Sequence, residues 1–388
     1  MDVITKTKAL EALCAELATE DYVTVDTEFM RERTYWPQLC LIQVAGAKRA
    51  AIIDPLAPDM DLDAFDGLMS NPDVLKVFHS GRQDLEIFFH RTGKVPAPIF
   101  DTQIAAMVCG FGDSVAYDKI VWALLRETVD KSSRFTDWSR RPLSEAQLAY
   151  ALSDVTHLRG VYEKLSQRLE ESGRAAWLAE EVAILTNPAT YALEPENAWK
   201  RLKLRNIKPK HLGPLIEVAA WREKEAQTRD APRNRILKDE VLVEIARAAP
   251  RSPEELGRLR AVPSGFERSA AAGRLLEAVK RGAERPANEL PALERKEDRG
   301  KPPGAVLELL KVLLKSRSEE FDVASKLIAS AADLEKIARD DEADTPALSG
   351  WRREIFGADA LRLKRGELAL AARGRRVRVL EIDSGAGD

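Results

Sequence analysis

Tyr22-Val23-Thr24-Val25-Asp26-Thr27-Glu28-Phe29 alternates along its length in the way a strand does. Residues i and i+2 of a strand share a face, so the Asp26 and Glu28 carboxylates aim at one place. Two anions side by side on an otherwise apolar strand are costly unless something positive binds there. Oxygen-preferring divalent ions, Mg²⁺ or Mn²⁺, are the natural partners. Alone, the pair is equally a strand end facing solvent.

Outward from this stretch the chain keeps a layered pattern. On its N-terminal side, Leu10, Leu13 and Leu17 keep helical spacing through residues 1–20. On the other side, Leu39-Cys40-Leu41-Ile42-Gln43-Val44-Ala45 predicts a second strand, residues 49–54 a third and residues 74–78 a short buried fourth. A helix is expected to begin around residues 84–90. Phe100-Asp101-Thr102 ends another strand before helical residues 103–108, and residues 144–173 are helical throughout. Three early strands, then helices interleaved with short strands, give an α/β layer fold with a mixed sheet.

Two further signals complete a constellation. Asp84, in His79-Ser80-Gly81-Arg82-Gln83-Asp84, falls in the first turn of the helix after the fourth strand. Alone it is an acid favoured by the helix dipole. Tyr150 and Asp154 are spaced i, i+4 and share one face of the long helix. Together Asp26, Glu28, Asp84 and Asp154 supply four carboxylates for two metal ions. Such ions, about 3.5–4 Å apart, activate a water and stabilise a leaving oxygen in an in-line displacement.

Past Trp177 the pattern is nearly all helix. Residues 284–303, with four prolines and many charges, have linker composition and separate two small helical units. Each unit carries a similar helix start, Ser252-Pro253-Glu254-Glu255-Leu256 and Ser330-Ala331-Ala332-Asp333-Leu334, as two copies of one module would.

Composition narrows the class. With 388 residues, 32% charged and 45% hydrophobic, a soluble globular protein of two or three domains is expected. No run of about 18 apolar residues occurs, so no membrane span is expected, and the acid-bearing start is neither a secretory signal nor a transit peptide. Cys14, Cys40 and Cys109 are scattered without CxxC spacing, which argues against a disulfide framework or zinc site and suits a reducing cytoplasm. Net charge is −3, yet residues 200–210 (KRLKLRNIKPK) and 373–378 (RGRRVR) are densely basic. No GxGxxG or GxxxxGK[ST] loop points to a small-molecule enzyme.

The order Asp-x-Glu, Asp, Tyr-x-x-x-Asp resembles the DEDD exonuclease superfamily in its tyrosine subclass. The histidine subclass would need a His where Ala149 stands. Tyr35-Trp36-Pro37-Gln38-Leu39-Cys40-Leu41-Ile42-Gln43 and Asp137-Trp138-Ser139-Arg140-Arg141-Pro142-Leu143 narrow the resemblance to the bacterial ribonuclease D family. So do Trp221-Arg222-Glu223, Asp230-Ala231-Pro232 and Gly350-Trp351-Arg352 in the helical units. The resemblance implies a ribonuclease H-like mixed-sheet catalytic domain over residues 1–175 and a helical connector over 176–205. It further implies an all-α helicase-and-RNase-D C-terminal (HRDC) domain over 206–284, a linker over 285–300 and a second HRDC-like domain over 301–388.

The activity implied is 3′→5′ hydrolysis of structured RNA, tRNA precursors included, with release of 5′-mononucleotides and two Mg²⁺ or Mn²⁺ ions as cofactors. Asp26, Glu28 and Asp154 would hold the ion that activates water, Asp26 would bridge to the second, and Asp84 would hold that one directly or through water. Tyr150 would orient or help deprotonate the water. Lys203, Arg205 and Lys208 are candidates for phosphate contacts. A DNA exonuclease would share the constellation, whereas a non-catalytic RNA-binding adaptor would have lost at least one acid. No obligate protein partner is evident.

Overall fold

A computed structural model describes residues 2–203, 207–291 and 302–382. Its first sheet is built from β1 (Val3–Ile4), β2 (Tyr22–Met30), β3 (Gln38–Ala45), β4 (Ala50–Ile53), β5 (Leu75–Phe78) and β6 (Ile99–Asp101). They lie in the order β1-β4-β3-β2-β5-β6, so the strand carrying Asp26 and Glu28 is interior. It pairs antiparallel with β3 and parallel with β5. Residues 1–20, expected to be helical, hold α1 (Thr7–Leu17) and, before it, β1. Two residues are too short to show any period, and β1 exists because it pairs with β4.

Helices cover both faces of the sheet. They are α2 (Asp63–Ser70), α3 (Arg82–Thr92), α4 (Thr102–Val108), α5 (Tyr117–Leu125), α6 (Glu145–Ser172) and α7 (Ala175–Thr186). On one face Val23, Val25, Ile42 and Val44 pack with Leu10, Leu13, Phe65 and Phe88. On the other, Leu41 and Ile52 pack with Trp138 of the preceding loop and Ala151 of α6. Ser144 and Gln147 cap α6 reciprocally, and Gly173 ends it in the left-handed region at φ 68°. Ser144 and Gly173 are the ends expected from the sequence.

Beyond α7 two units follow. The first is centred on α8 (Leu212–Thr228), whose Leu215, Ala219 and Trp221 enter a core with Leu242, Ile245 and Leu275. The second opens with the helix Gly304–Phe321 and shares a core with α4, α5 and α6. It is not helical to its end. Residues 368–381, within a stretch expected to be all-α, form the hairpin β7 (Leu368–Arg373) and β8 (Arg376–Glu381). Arg376-Val377-Arg378-Val379 alternates with period two, and Gly374 at φ 63° turns the chain between the strands. The basic run 373–378 is therefore a hairpin tip.

Both units dock on the α/β layer through the segments that carry the family resemblance. Buried Glu223 accepts hydrogen bonds from the Tyr35 hydroxyl and from Arg233 Nε at 2.6 Å. Asp230 Oδ1 accepts from the Tyr35 and Trp36 amides at 3.0 and 2.9 Å. In the second unit Trp351 stacks on Trp177 with centroids 4.3 Å apart, and Arg352 pairs with Glu180 and Glu181 on α7.

Candidate active site

The site forms where β2 passes under α6. Asp26 stands opposite Gln43 and Glu28 opposite Leu41, and the register slips after Glu28 because Cys40 is an extra residue on β3. A bulge of this kind re-aims the side chains beside it. Arg141 stabilises it, donating to the Cys40 carbonyl at 2.7 Å while pairing with both Asp54 oxygens at 2.7 Å. The same guanidinium holds the Trp138 carbonyl at 2.8 Å, which places the Trp138 ring against Tyr150, centroids 6.0 Å apart. From above, α6 is tied to the sheet by one hydroxyl and to α5 by another. Thr24 donates to the Val155 carbonyl at 2.8 Å and Tyr117 to the Asp154 carbonyl at 2.6 Å.

The result is convergence. One ligand oxygen from each of Asp26, Glu28 and Asp154 lies within 4.8 Å of the others. Asp84 approaches from α3 and accepts a hydrogen bond from the Thr27 hydroxyl, on the residue between the two strand acids. Its helix start is clamped by Asp101, whose carboxylate accepts the Ser80 and Gly81 amides at 3.1 and 2.8 Å. Gly81 has no substitute there, because a Cβ would stand 2.5 Å from Phe78 Cβ. A cavity of about 290 Å³ opens over the acids, lined by Asp26, Asp154, Tyr150, Tyr117, His79 and Arg134 among others.

Electrostatics mark the cavity as a cation site. Burial, then repulsion from Asp84, Asp154 and Glu28, pushes Asp26 well above the ordinary carboxylate range. Burial likewise lifts Glu28 to about 8, with Asp154 and Asp84 adding to it and Arg134 opposing. Asp84 and Asp154 are each raised to about 7, chiefly by burial. A hydrogen bond from Tyr150 draws Asp154 partly back down, and burial beside these carboxylates pushes the Tyr150 phenol upward. Among the described residues no Lys or Arg forms an ion pair with any of the four acids. Oxygen-only ligands with an unneutralised charge fit a hard divalent cation.

The chain is similar to known proteins along nearly its whole length. Residues 1–170 match the 3′-5′ exonuclease family and residues 215–278 match the HRDC domain. Ribonuclease D of Nitrobacter hamburgensis is 54% identical over 98% of this chain and 99% of its own, and that of Granulibacter bethesdensis 51% over 97% and 96%. The chain belongs to the ribonuclease D family. Escherichia coli RNase D, described as an exoribonuclease involved in structured RNA processing, superposes with a TM-score of 0.80. That match has 31% identity and covers 94% of this chain and 98% of the other. The 3′-5′ exonuclease domain of this family implies divalent metal ions.

In this member of the ribonuclease D family, three of the five residues singled out from the sequence, Asp26, Tyr150 and Asp154, line the cavity; Glu28 converges on Asp26 and Asp154, and Asp84 is held through Thr27. Lys203 and Lys208 are exposed and do not line that cavity; Arg205 lies outside the described residues. Sequence reasoning did not single out Thr27, Gln43, Tyr117 or Arg134. Gln43 is fully buried across from Asp26, with neither amide atom hydrogen-bonded. Thr27 and Gln43 sat inside strand segments recognised from the sequence, where nothing marked either as part of the site. The others become neighbours of the acids through folding and carry no periodic signal. No helix among the described residues is long and apolar enough to cross a membrane.

Proposed function

We propose that this chain is a 3′→5′ exoribonuclease that shortens RNA one nucleotide at a time and releases 5′-mononucleotides. Asp26, Glu28, Asp84 and Asp154 would hold two Mg²⁺ or Mn²⁺ ions. The single observation that carries this reading is the convergence of Asp26, Glu28 and Asp154 oxygens within 4.8 Å, with no cation paired to them among the described residues. Two such ions supply Lewis acidity at both oxygens of an in-line displacement. The protein supplies the rest. Asp26, on an interior strand and converging with Glu28 and Asp154, would serve both ions. Tyr150, one helical turn before Asp154 and hydrogen-bonded to its carboxylate, would orient the attacking water or help deprotonate it. Trp138 and the Arg141 clamp hold that ring in place.

The substrate class we favour is structured RNA with a free 3′ end, precursors of tRNA included. The HRDC domain at 206–284 would hold the RNA body, with Lys203, Arg205 and Lys208 neutralising phosphates. We read residues 301–388 as a second, diverged HRDC-like domain, supported by its Ser330–Asp333 capping box and the Trp351-Arg352 pair. In this division 1–175 is catalytic, 176–205 connects and 285–300 links. Three cysteines without disulfide partners suit the reducing cytoplasm.

The test uses purified protein with 5′-labelled RNA, and DNA of the same sequence, in Mg²⁺, Mn²⁺ or chelator. RNA should shorten from its 3′ end in single-nucleotide steps only with divalent metal. Internal cuts, preference for DNA, or cleavage in chelator would contradict the reading.

A further inference from the structure

The loop between α5 and α6 holds a large apolar ring that the fold does not use. Phe135 is 90% exposed, more than any other large hydrophobic side chain among the described residues. Single exposed apolar residues are ordinary on a protein surface, so exposure alone decides nothing. Position decides. Arg134, the preceding residue, lines the carboxylate cavity, and its charge is felt by both Glu28 and Asp154. The same guanidinium stands 5.1 Å from the centroid of the Phe135 ring. One side chain therefore links the cavity to the ring, which stands next to a lining residue without itself lining the cavity.

The ring is held out by an anchored chain. Arg134 N donates to the Lys131 carbonyl at 3.2 Å, and Thr136 N to the Ser133 carbonyl at 3.3 Å. The Thr136 hydroxyl also donates to the Ser133 carbonyl at 2.9 Å, and it accepts from Gln147 on α6 at 3.0 Å. Ser133 and Trp138, on either side, are buried. With Arg134 over one face of so exposed a ring, the opposite face is open to a partner.

On the exoribonuclease reading above, we infer that Phe135 is a stacking platform for an unpaired base of the RNA 3′ tail, just upstream of the nucleotide held over the acids. Every base presents a π face, so stacking grips RNA without selecting sequence, as an enzyme that trims successive nucleotides requires. Unpaired 3′ ends are where RNA offers such faces. Arg134 on the far side of the ring adds a cation to the stack. RNAs with a tail long enough to reach Phe135 are therefore held better than a dinucleotide, which fills only the metal site.

The experiment compares kcat/KM for a dinucleotide and for a longer unstructured RNA, in wild type, Phe135→Ala, Phe135→Leu and Phe135→Trp. Because the ring lies outside the core, all four should melt alike. Phe135→Ala should lower the ratio of long to short substrate about ten-fold. Trp should restore the ratio and Leu should not, since Leu keeps apolar bulk without a π face. A single abasic position in the long RNA should cost wild type a similar factor and Phe135→Ala nothing further. A ratio in Phe135→Ala within twofold of wild type, or rescue by Leu equal to rescue by Trp, would overturn the inference and leave the exoribonuclease reading standing. A wild type that degrades neither RNA would remove both.

Discussion

Replacing Glu28 by Gln should stabilise the metal-free protein while abolishing its response to divalent metal. Burial, helped by Asp154 and Asp84, raises the Glu28 carboxyl from the ordinary 4.5 to about 8. The folded state thus keeps a proton that the unfolded chain has lost. Where the native state binds more protons, stability falls as pH rises, here through the window from 4.5 to about 8. The ceiling of that cost is about 5 kcal/mol above the window, at ~1.4 kcal/mol for each tenfold change in proton affinity. Asp26, Asp84 and Asp154 share the same repulsion, and a proton on any one relieves the others. We therefore expect the isosteric amide to recover roughly 2 kcal/mol at the upper end, or ~4–8 °C in Tm. Thermal melts in chelator across a pH series would show wild type losing Tm with rising pH and the variant losing less. Adding Mg²⁺ or Mn²⁺ should then raise the Tm of wild type only, since a ligand stabilises the state that binds it. A variant melting at or below wild type in chelator, with the same pH slope, would refute the reasoning.

Three further outcomes follow from the same geometry. Tyr150→Phe should slow single-turnover hydrolysis by about 10²–10⁴-fold with metal and RNA affinity nearly intact; a rate within about threefold of wild type would reject the orienting role. Charge reversal at Lys203, Arg205 and Lys208 should weaken RNA binding and flatten its salt dependence, by about one in log–log slope for each phosphate left without its cation. An unchanged slope would remove this segment from the RNA path. Glu223→Gln leaves Arg201 and Arg233 without their shared carboxylate at the junction with Tyr35, and should cost about 2 kcal/mol, because both guanidiniums are partly solvated. Equal resistance of variant and wild type to proteolysis at this junction would contradict that.

What the sequence disclosed follows from period and spacing. Asp26 and Glu28 could be paired because a strand has period two, and Tyr150 with Asp154 because a helix has period 3.6. The ends of α6 were legible because Ser144 and Gly173 have local chemistry suited to caps. What stayed hidden is tertiary. The slip at Cys40 appears only when β3 meets β2, and Tyr117 reaches Asp154 only because α5 packs on α6. Arg134 lies in a loop whose sequence shows no periodicity, so nothing local tied it to acids far away along the chain. The hairpin at 368–381 was obscured for a different reason. Its arginines resemble a charged helical face until their alternation with Val377 and Val379 is counted.

The central claim is that these carboxylates exist to hold metal for hydrolysis at an RNA 3′ end. It is tested most directly by the rate of 3′ hydrolysis at saturating Mg²⁺ in Asp26→Asn and Asp154→Asn, with RNA affinity measured in parallel. Each substitution removes a charge from the converging set while keeping shape. We expect affinity within a few-fold of wild type and a rate reduced by about 10²–10³-fold or more. Either variant retaining more than about a tenth of the wild-type rate would contradict the account.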